Sequence, residues 1–187
     1  MSTIAKLSLP EYERIVATGV FDGKNKRRIE LIWGELREMN PIGSEHAMVL
    51  NRLTQWSFRT AGERIWLRIQ DPIAISSAES EPEPDLVWAK PKDYTAHHPS
   101  ADDVLLLVEV AESSLDFDRD EKAGLYATAG ILDYWIVNLV DRVVEVHRNP
   151  RQRRYQSVAS FAAAQSVQTL ALPEARLVVD TLFGEHA

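Results

Sequence analysis

The chain has 187 residues, 45% of them apolar, enough for one globular domain (1–187) with a sizeable core. It contains no cysteine, which excludes disulfides and thiolate zinc sites and leaves oxygen ligands or histidine for any metal. A net charge of −7 argues at first sight against a nucleic-acid partner, yet the acidity is local: residues 77–122 carry 13 acidic and 4 basic side chains, and the rest carry 15 and 17.

The opening stretch, MSTIAKLSLPEYERIV, has no long apolar run and does not read as a signal peptide. No apolar run approaches bilayer-spanning length, so a cytoplasmic protein without membrane contact is expected. Ser8 is a good N-cap for a helix to about Thr18, with Pro10 in its first turn and Gly19 at its end. A basic cluster follows at Lys24, Lys26, Arg27 and Arg28; like Arg148, Arg151, Arg153 and Arg154, it reads as an ordinary solvated turn. Arg28–Trp33 and Leu36–Met39 flank Gly34-Glu35 and predict a hairpin. Glu30 lies in its first strand, where an exposed position is as good a reading as a functional one.

After the break at Pro41-Ile42-Gly43, Ser44 caps a helix to about Thr60, with Met48, Leu50, Leu53, Trp56 and Phe58 as its apolar positions. His46 stands in its first turn. A lone histidine is more often a surface or satisfied core residue than a ligand, although a helix N-terminus also suits a phosphate. Ile65–Ile69 alternates as a strand, and another is expected at Ile73–Ile75. Pro84 biases Glu83 toward extended backbone and cannot sit inside a central ladder, so Asp85 starts the next strand. Residues 90–103 read as a loop with at most a short helix, too polar to be core.

The central stretch is Val104 to Asn138, VLLLVEVAESSLDFDRDEKAGLYATAGILDYWIVN. Its first strand is apolar on both faces, with Val104, Leu106, Val108 and Val110 on one and Leu105, Leu107 and Glu109 on the other, which predicts a central strand covered on both sides. A carboxylate buried there must be paired, protonated or bound to a metal. In the following helix Lys122, Leu125, Tyr126 and Ala129 fall at i, i+3, i+4 and i+7, so the lysine shares the core-facing stripe. Gly130 ends the helix, and Ile131–Val137 is the next buried strand. Asp141-Arg142 then turns into a strand at Val143–Val146, and Tyr155–Val158, Val167–Leu172 and Leu177–Val179 close the chain. Asp118, four residues before Lys122, can form a simple helix pair with it, and Tyr126 reads as core.

Two carboxylates about 4 Å apart repel by roughly 4 kcal/mol at an effective dielectric near 20, so Asp85 and Glu109 stay ionised together only with a cation between them. Without cysteine the natural cation is Mg²⁺ or Mn²⁺, which favours carboxylates and water. An ammonium beside such a metal can orient a water or stabilise charge on a phosphorane. Asp85, Glu109 and Lys122 together therefore point to phosphodiester hydrolysis.

Pro84-Asp85, Glu109-Val110 and Lys122 resemble the PD-(D/E)XK motif of restriction-endonuclease-like nucleases. More closely, LLVEVAESSLDFDRDEKAGLYATAGILDYWIVN, RIELIWGEL, the Pro41–His46 segment and EPDLVW resemble the Uma-two family of endonucleases over about Arg28–Val146. In the usual pattern the lysine follows the second acid by two residues, where this chain has Ala111; Lys122 from the next helix is the match. The resemblance implies an α/β fold with a mixed sheet flanked by helices and added hairpins. It implies Asp85 and Glu109 as ligands of Mg²⁺ or Mn²⁺, Lys122 as a catalytic residue, and DNA as substrate. Glu30 and His46 also match family positions, and Glu30 joins the candidate catalytic set. Cutting both strands of a duplex usually needs two sites, which suits a homodimer. Two competing readings remain open at this point: a non-catalytic nucleic-acid- or protein-binding module that retains the fold, and hydrolysis of another phosphate ester by the same metal chemistry.

Overall fold

A computed structural model describes residues 3–22 and 27–184; Lys24 and Lys26 of the first basic cluster lie outside the described residues. In chain order the elements are α1 (Leu9–Ala17), the β1 (Ile29–Ile32) and β2 (Glu35–Glu38) hairpin, α2 (Ser44–Thr60), β3 (Trp66–Ile69), β4 (Leu86–Ala89) and β5 (Val104–Ala111). Then come α3 (Leu115–Phe117), a π-helical turn (Asp118–Lys122), α4 (Ala123–Thr128), β6 (Asp133–Asn138), β7 (Val143–Arg151), β8 (Arg154–Phe161), and a small β9 (Ser166–Gln168) and β10 (Arg176–Val178) pair. Strands β3 to β8 form a six-stranded sheet in sequence order, antiparallel except for the parallel pair β5 and β6. The helical crossover supplies that parallel pair, as a strand–helix–strand unit requires. This is the mixed sheet flanked by helices that the family resemblance implies.

The two faces of β5 feed two cores, which is why its run is apolar throughout. Leu106, Val108 and Val110 pack with Leu53 and Trp56 of α2; Leu107 packs with Leu125 and Tyr126 of α4. At the start of β5 the predicted phase is reversed, with Leu105 joining the α2 side and Val104 the α4 side. A register shift opposite Trp88 and Ala89 inserts one residue and exchanges the faces. Trp56 of α2 stacks on Trp88 at 5.0 Å and lies 5.9 Å from Trp135. The Trp88 indole N–H donates to Ser57 Oγ at 2.8 Å, which fixes α2 on the sheet. Met48 and Phe58 face solvent rather than the core; Val49 takes the buried position instead.

Local signals set the element ends. Ser8 and Glu11 form a capping box on α1. Gly130 (φ 79°) ends α4 with a Schellman pattern, Ile131 N–H to Tyr126 O and Gly130 N–H to Ala127 O. The α2 N-cap is Gly43 rather than Ser44, which is the first helical residue. The hairpin turn is Trp33-Gly34, one residue earlier than predicted, with φ values of 54° and 78° that suit a type I′ turn. A Cβ at Gly34 would stand 2.8 Å from Leu7 O, so glycine is required there. Ile73–Ile75 is not a strand: Pro72 precedes it, and the segment makes only isolated bridges, Ala74 to Ser100 and Ile75 to Ser80, while burying Ile73 and Ile75. The predicted strand at Val167–Leu172 stops at Gln168, where the chain turns through Thr169 and Leu172 toward β10.

Glu81, which bridges to Leu31 of β1, is buried with one carboxylate oxygen unpartnered. Burial, then Glu13 and Glu83, push its carboxyl up to about 7. A carboxyl raised in the fold holds a proton that the unfolded chain has released, so stability falls as pH rises from 4.5 toward 7. Glu81→Gln is therefore expected to stabilise the fold by on the order of 1 kcal/mol at pH 8 and by nothing at pH 4. Urea unfolding at the two pH values checks it; an equal effect at both would contradict the assigned cause.

Candidate active site

The antiparallel ladder places Asp85 opposite Glu109. With Leu86 paired to Val108, the residue just before β4 faces the carboxylate near the end of β5, and the two lock reciprocally. The Asp85 N–H donates to Glu109 Oε2 at 3.2 Å, and the Val110 N–H donates to Asp85 Oδ2 at 2.8 Å. Asp85 Oδ1 lies 3.0 Å from His46 Nε2 and accepts from the Gln70 amide at 3.0 Å. Burial drives the Asp85 carboxyl up, but the hydrogen bonds of His46, Val110 and Gln70 outweigh it and hold it below the usual carboxylate range.

Lys122 arrives from the helical crossover. The α-helix loosens at Asp118–Lys122 into a single π turn, in which the Ala123 N–H reaches Asp118 O. The Tyr134 hydroxyl donates to that same carbonyl at 3.0 Å. From the end of this turn the ammonium donates to Glu109 Oε1 at 3.0 Å and lies 3.4 Å from Glu30 Oε2. The Tyr126 hydroxyl, one turn on, also donates to Glu109 Oε1, at 2.7 Å. Lys122 is only 4% exposed and Glu30 only 3%, so Glu30 is not the exposed strand position that its sequence context allowed. The ion pairs of Lys122 are with Glu109 and Glu30, not with Asp118; the Asp118 carboxylate accepts from Ser114 Oγ at 2.7 Å.

Four buried carboxylates, Glu30, Asp85, Glu109 and Asp118, thus line one cleft together with a single lysine. Burial, reinforced by Asp118 and Asp85, raises Glu109 against the pull of Lys122 and Tyr126. Burial likewise raises Asp118, to about 6. Burial lowers Lys122, but Glu109, Glu30 and Asp118 reverse this and raise it. All three shifts retain protons, as expected of a cluster with more negative charge than its single ammonium neutralises.

The cluster opens into a cleft of about 360 Å³, with Arg28 and Arg37 at its hairpin side and Ser113, Ser114 and Phe117 opposite. Its excess of hard oxygen donors fits Mg²⁺ or Mn²⁺ by chemistry. Among the described residues no three His, Asp or Glu side chains already form a metal-ligating group. Asp85 Oδ2 and Glu109 Oε2 each spend only one hydrogen bond, on a backbone amide, and retain lone-pair capacity.

The four candidate residues, Asp85, Glu109, Lys122 and Glu30, therefore meet in one place. His46, read as a satisfied or surface histidine, a phosphate contact or a family position, bonds to Asp85, and Tyr126, buried in the core as expected, also donates to Glu109. Gln70, just past β3 with φ 53°, is a further partner of Asp85 that carries no signal of its own in the sequence.

The six-stranded mixed sheet flanked by helices is a restriction-endonuclease-like fold. The family model of Uma2, described as "Putative restriction endonuclease", matches residues 9–180, and the chain belongs to this Uma-two (Uma2) family. A solved structure described as "a putative nuclease belonging to DUF820" from Anabaena variabilis ATCC 29413 superposes with a TM-score of 0.71. It is 12% identical, over 95% of this chain and 97% of that one, and so speaks for the fold alone. No curated protein gives a significant match. Among the described residues no helix is long and apolar enough to cross a membrane.

Proposed function

We propose that the chain is a Mg²⁺- or Mn²⁺-dependent endonuclease that hydrolyses phosphodiester bonds in DNA. The observation that carries this reading is the convergence of Asp85, Glu109, Glu30 and Lys122 in one open cleft, with more buried negative charge than the lysine neutralises. In this reading Asp85 and Glu109 hold the metal. Bound there, the metal supplies Lewis acidity that neutralises a phosphodiester oxygen and favours attack by water. His46 and Gln70 orient the Asp85 carboxylate, as partners of ligating groups commonly do. The Lys122 ammonium stabilises charge that develops on the phosphoryl oxygens, and Glu30 keeps it aimed at the cluster. Cutting both strands of a duplex calls for two such sites, which a homodimer supplies.

The test is incubation with plasmid and single-stranded DNA in Mg²⁺, in Mn²⁺ and in EDTA. Cleavage with either metal and none with EDTA is expected. No cleavage, together with no metal-induced rise in melting temperature, would instead favour a non-catalytic binding module on the same fold.

A further inference from the structure

The cleft poses an electrostatic difficulty for any polyanion, since it is lined by four buried carboxylates against the single ammonium of Lys122, which pairs with two of them. The hairpin supplies the missing charge. Glu30 pairs with Arg37 across the β1–β2 ladder, and Arg28 lies two residues from Glu30, opposite Met39. Period-two alternation therefore puts Arg28, Glu30, Arg37 and Met39 on one face of the hairpin, and all four line the cleft. The opposite face of β1 is committed elsewhere, with Ile29 and Leu31 packing on Leu9 and Tyr12 of α1.

Neither arginine is committed to a strong partner. Arg28 pairs with Glu83 at 3.1 Å, and Arg37 with Glu35 at 2.9 Å and Glu121 at 3.2 Å. These carboxylates are between a fifth and a third exposed, so each pair contributes little and is readily exchanged. The Nε of Arg37 is buried and has no hydrogen-bond partner among the described residues. A buried guanidinium donor left unmade beside a cleft is a donor awaiting an acceptor. Planar guanidinium groups match phosphate oxygens with two parallel hydrogen bonds.

We infer that Arg28 and Arg37 form a phosphate-binding wall, on which the sugar–phosphate backbone of a nucleic-acid strand is seated beside the carboxylate cluster. The inference rests on the nuclease reading and names how its substrate is held. The rest of the cleft rim agrees with a one-sided contact. Glu112 lines it beyond the hairpin, and on the hairpin Glu38 is engaged by Arg27 at 2.7 Å, so among the described residues the guanidinium groups lining the cleft are those of Arg28 and Arg37.

The test measures binding apart from cleavage. A fluorescein-labelled DNA duplex is titrated with the full chain in Ca²⁺, over a range of NaCl, and anisotropy is read. Each phosphate contact contributes about 0.9 to the slope of log affinity against log salt. Arg28→Gln and Arg37→Gln are each expected to reduce that slope by about 1, and the double variant by about 2, with affinity at low salt weakened tenfold or more. Arg59→Gln, on the exposed face of α2 away from the cleft, should leave both unchanged. A double variant that is folded by circular dichroism and binds with the wild-type slope would overturn the wall while leaving the nuclease reading intact. A wild-type chain that binds neither DNA nor RNA would overturn both.

Discussion

Lys122→Met is expected to reduce cleavage at least 10²-fold and to destabilise the fold by about 3–5 kcal/mol at pH 8. The ammonium is buried and pairs with Glu109 and Glu30, and removing one member of a buried pair leaves the others without compensation. The loss should depend on pH in a definite direction. Without Lys122, the carboxyls of Glu109 and Asp118, already raised by burial, rise further. Each then holds a proton in the fold that the unfolded chain has released, so stability declines as pH rises above the ordinary carboxylate range. Urea unfolding at pH 5.5 and pH 8 should therefore show a larger deficit at pH 8. An equal deficit at both, or near-wild-type cleavage, would mean that the lysine is neither the cation of the cluster nor a catalytic group.

Asp85→Asn should abolish the stabilisation that Mg²⁺ confers. A ligand at about one hundred times its Kd stabilises the folded state by about 2.7 kcal/mol, which for a chain of this size is a rise in melting temperature of about 5–10 °C. Wild type is expected to show such a rise in Mg²⁺ or Mn²⁺, and the variant none. The absolute melting temperature of Asp85→Asn will fall as well. An amide N–H₂ cannot accept the bonds now shared among His46, Gln70 and Val110, and leaving such donors unpaired costs about 1–3 kcal/mol. The informative quantity is thus the increment on adding metal to each protein. A variant that retains the full increment would remove Asp85 from the metal site.

How far the sequence leads is clearest from single residues. Glu109 was visible because a charge inside an otherwise unbroken apolar strand has no ordinary place, and Lys122 because helical phase put it on the core stripe. Asp85 followed from Pro84, which forces a strand to begin there. What the sequence could not convey was register: that Asp85 falls opposite Glu109 depends on pairing Leu86 with Val108. Glu30 shows the same limit, since four residues of a hairpin strand do not reveal which face is covered. Its side chain is buried against Lys122 and the Glu83 backbone, while α1 covers the opposite face of the strand. The reversed phase at Val104 and Leu105 needed knowledge of a bulge, and the π turn that aims Lys122 has no pattern of its own in DRDEK. Gln70 and His46 reach Asp85 from distant elements, which no local periodicity encodes.

The measurement that bears most directly on the central claim is cleavage of supercoiled plasmid by wild type, Asp85→Asn and Lys122→Met, purified in parallel and assayed in Mg²⁺ and in EDTA. The wild type should convert plasmid to nicked and linear forms in Mg²⁺ and leave it intact in EDTA, and both variants should leave it intact in either. Cleavage that survives in Asp85→Asn or Lys122→Met, or that persists in EDTA, would contradict the assignment of this cluster as the active site.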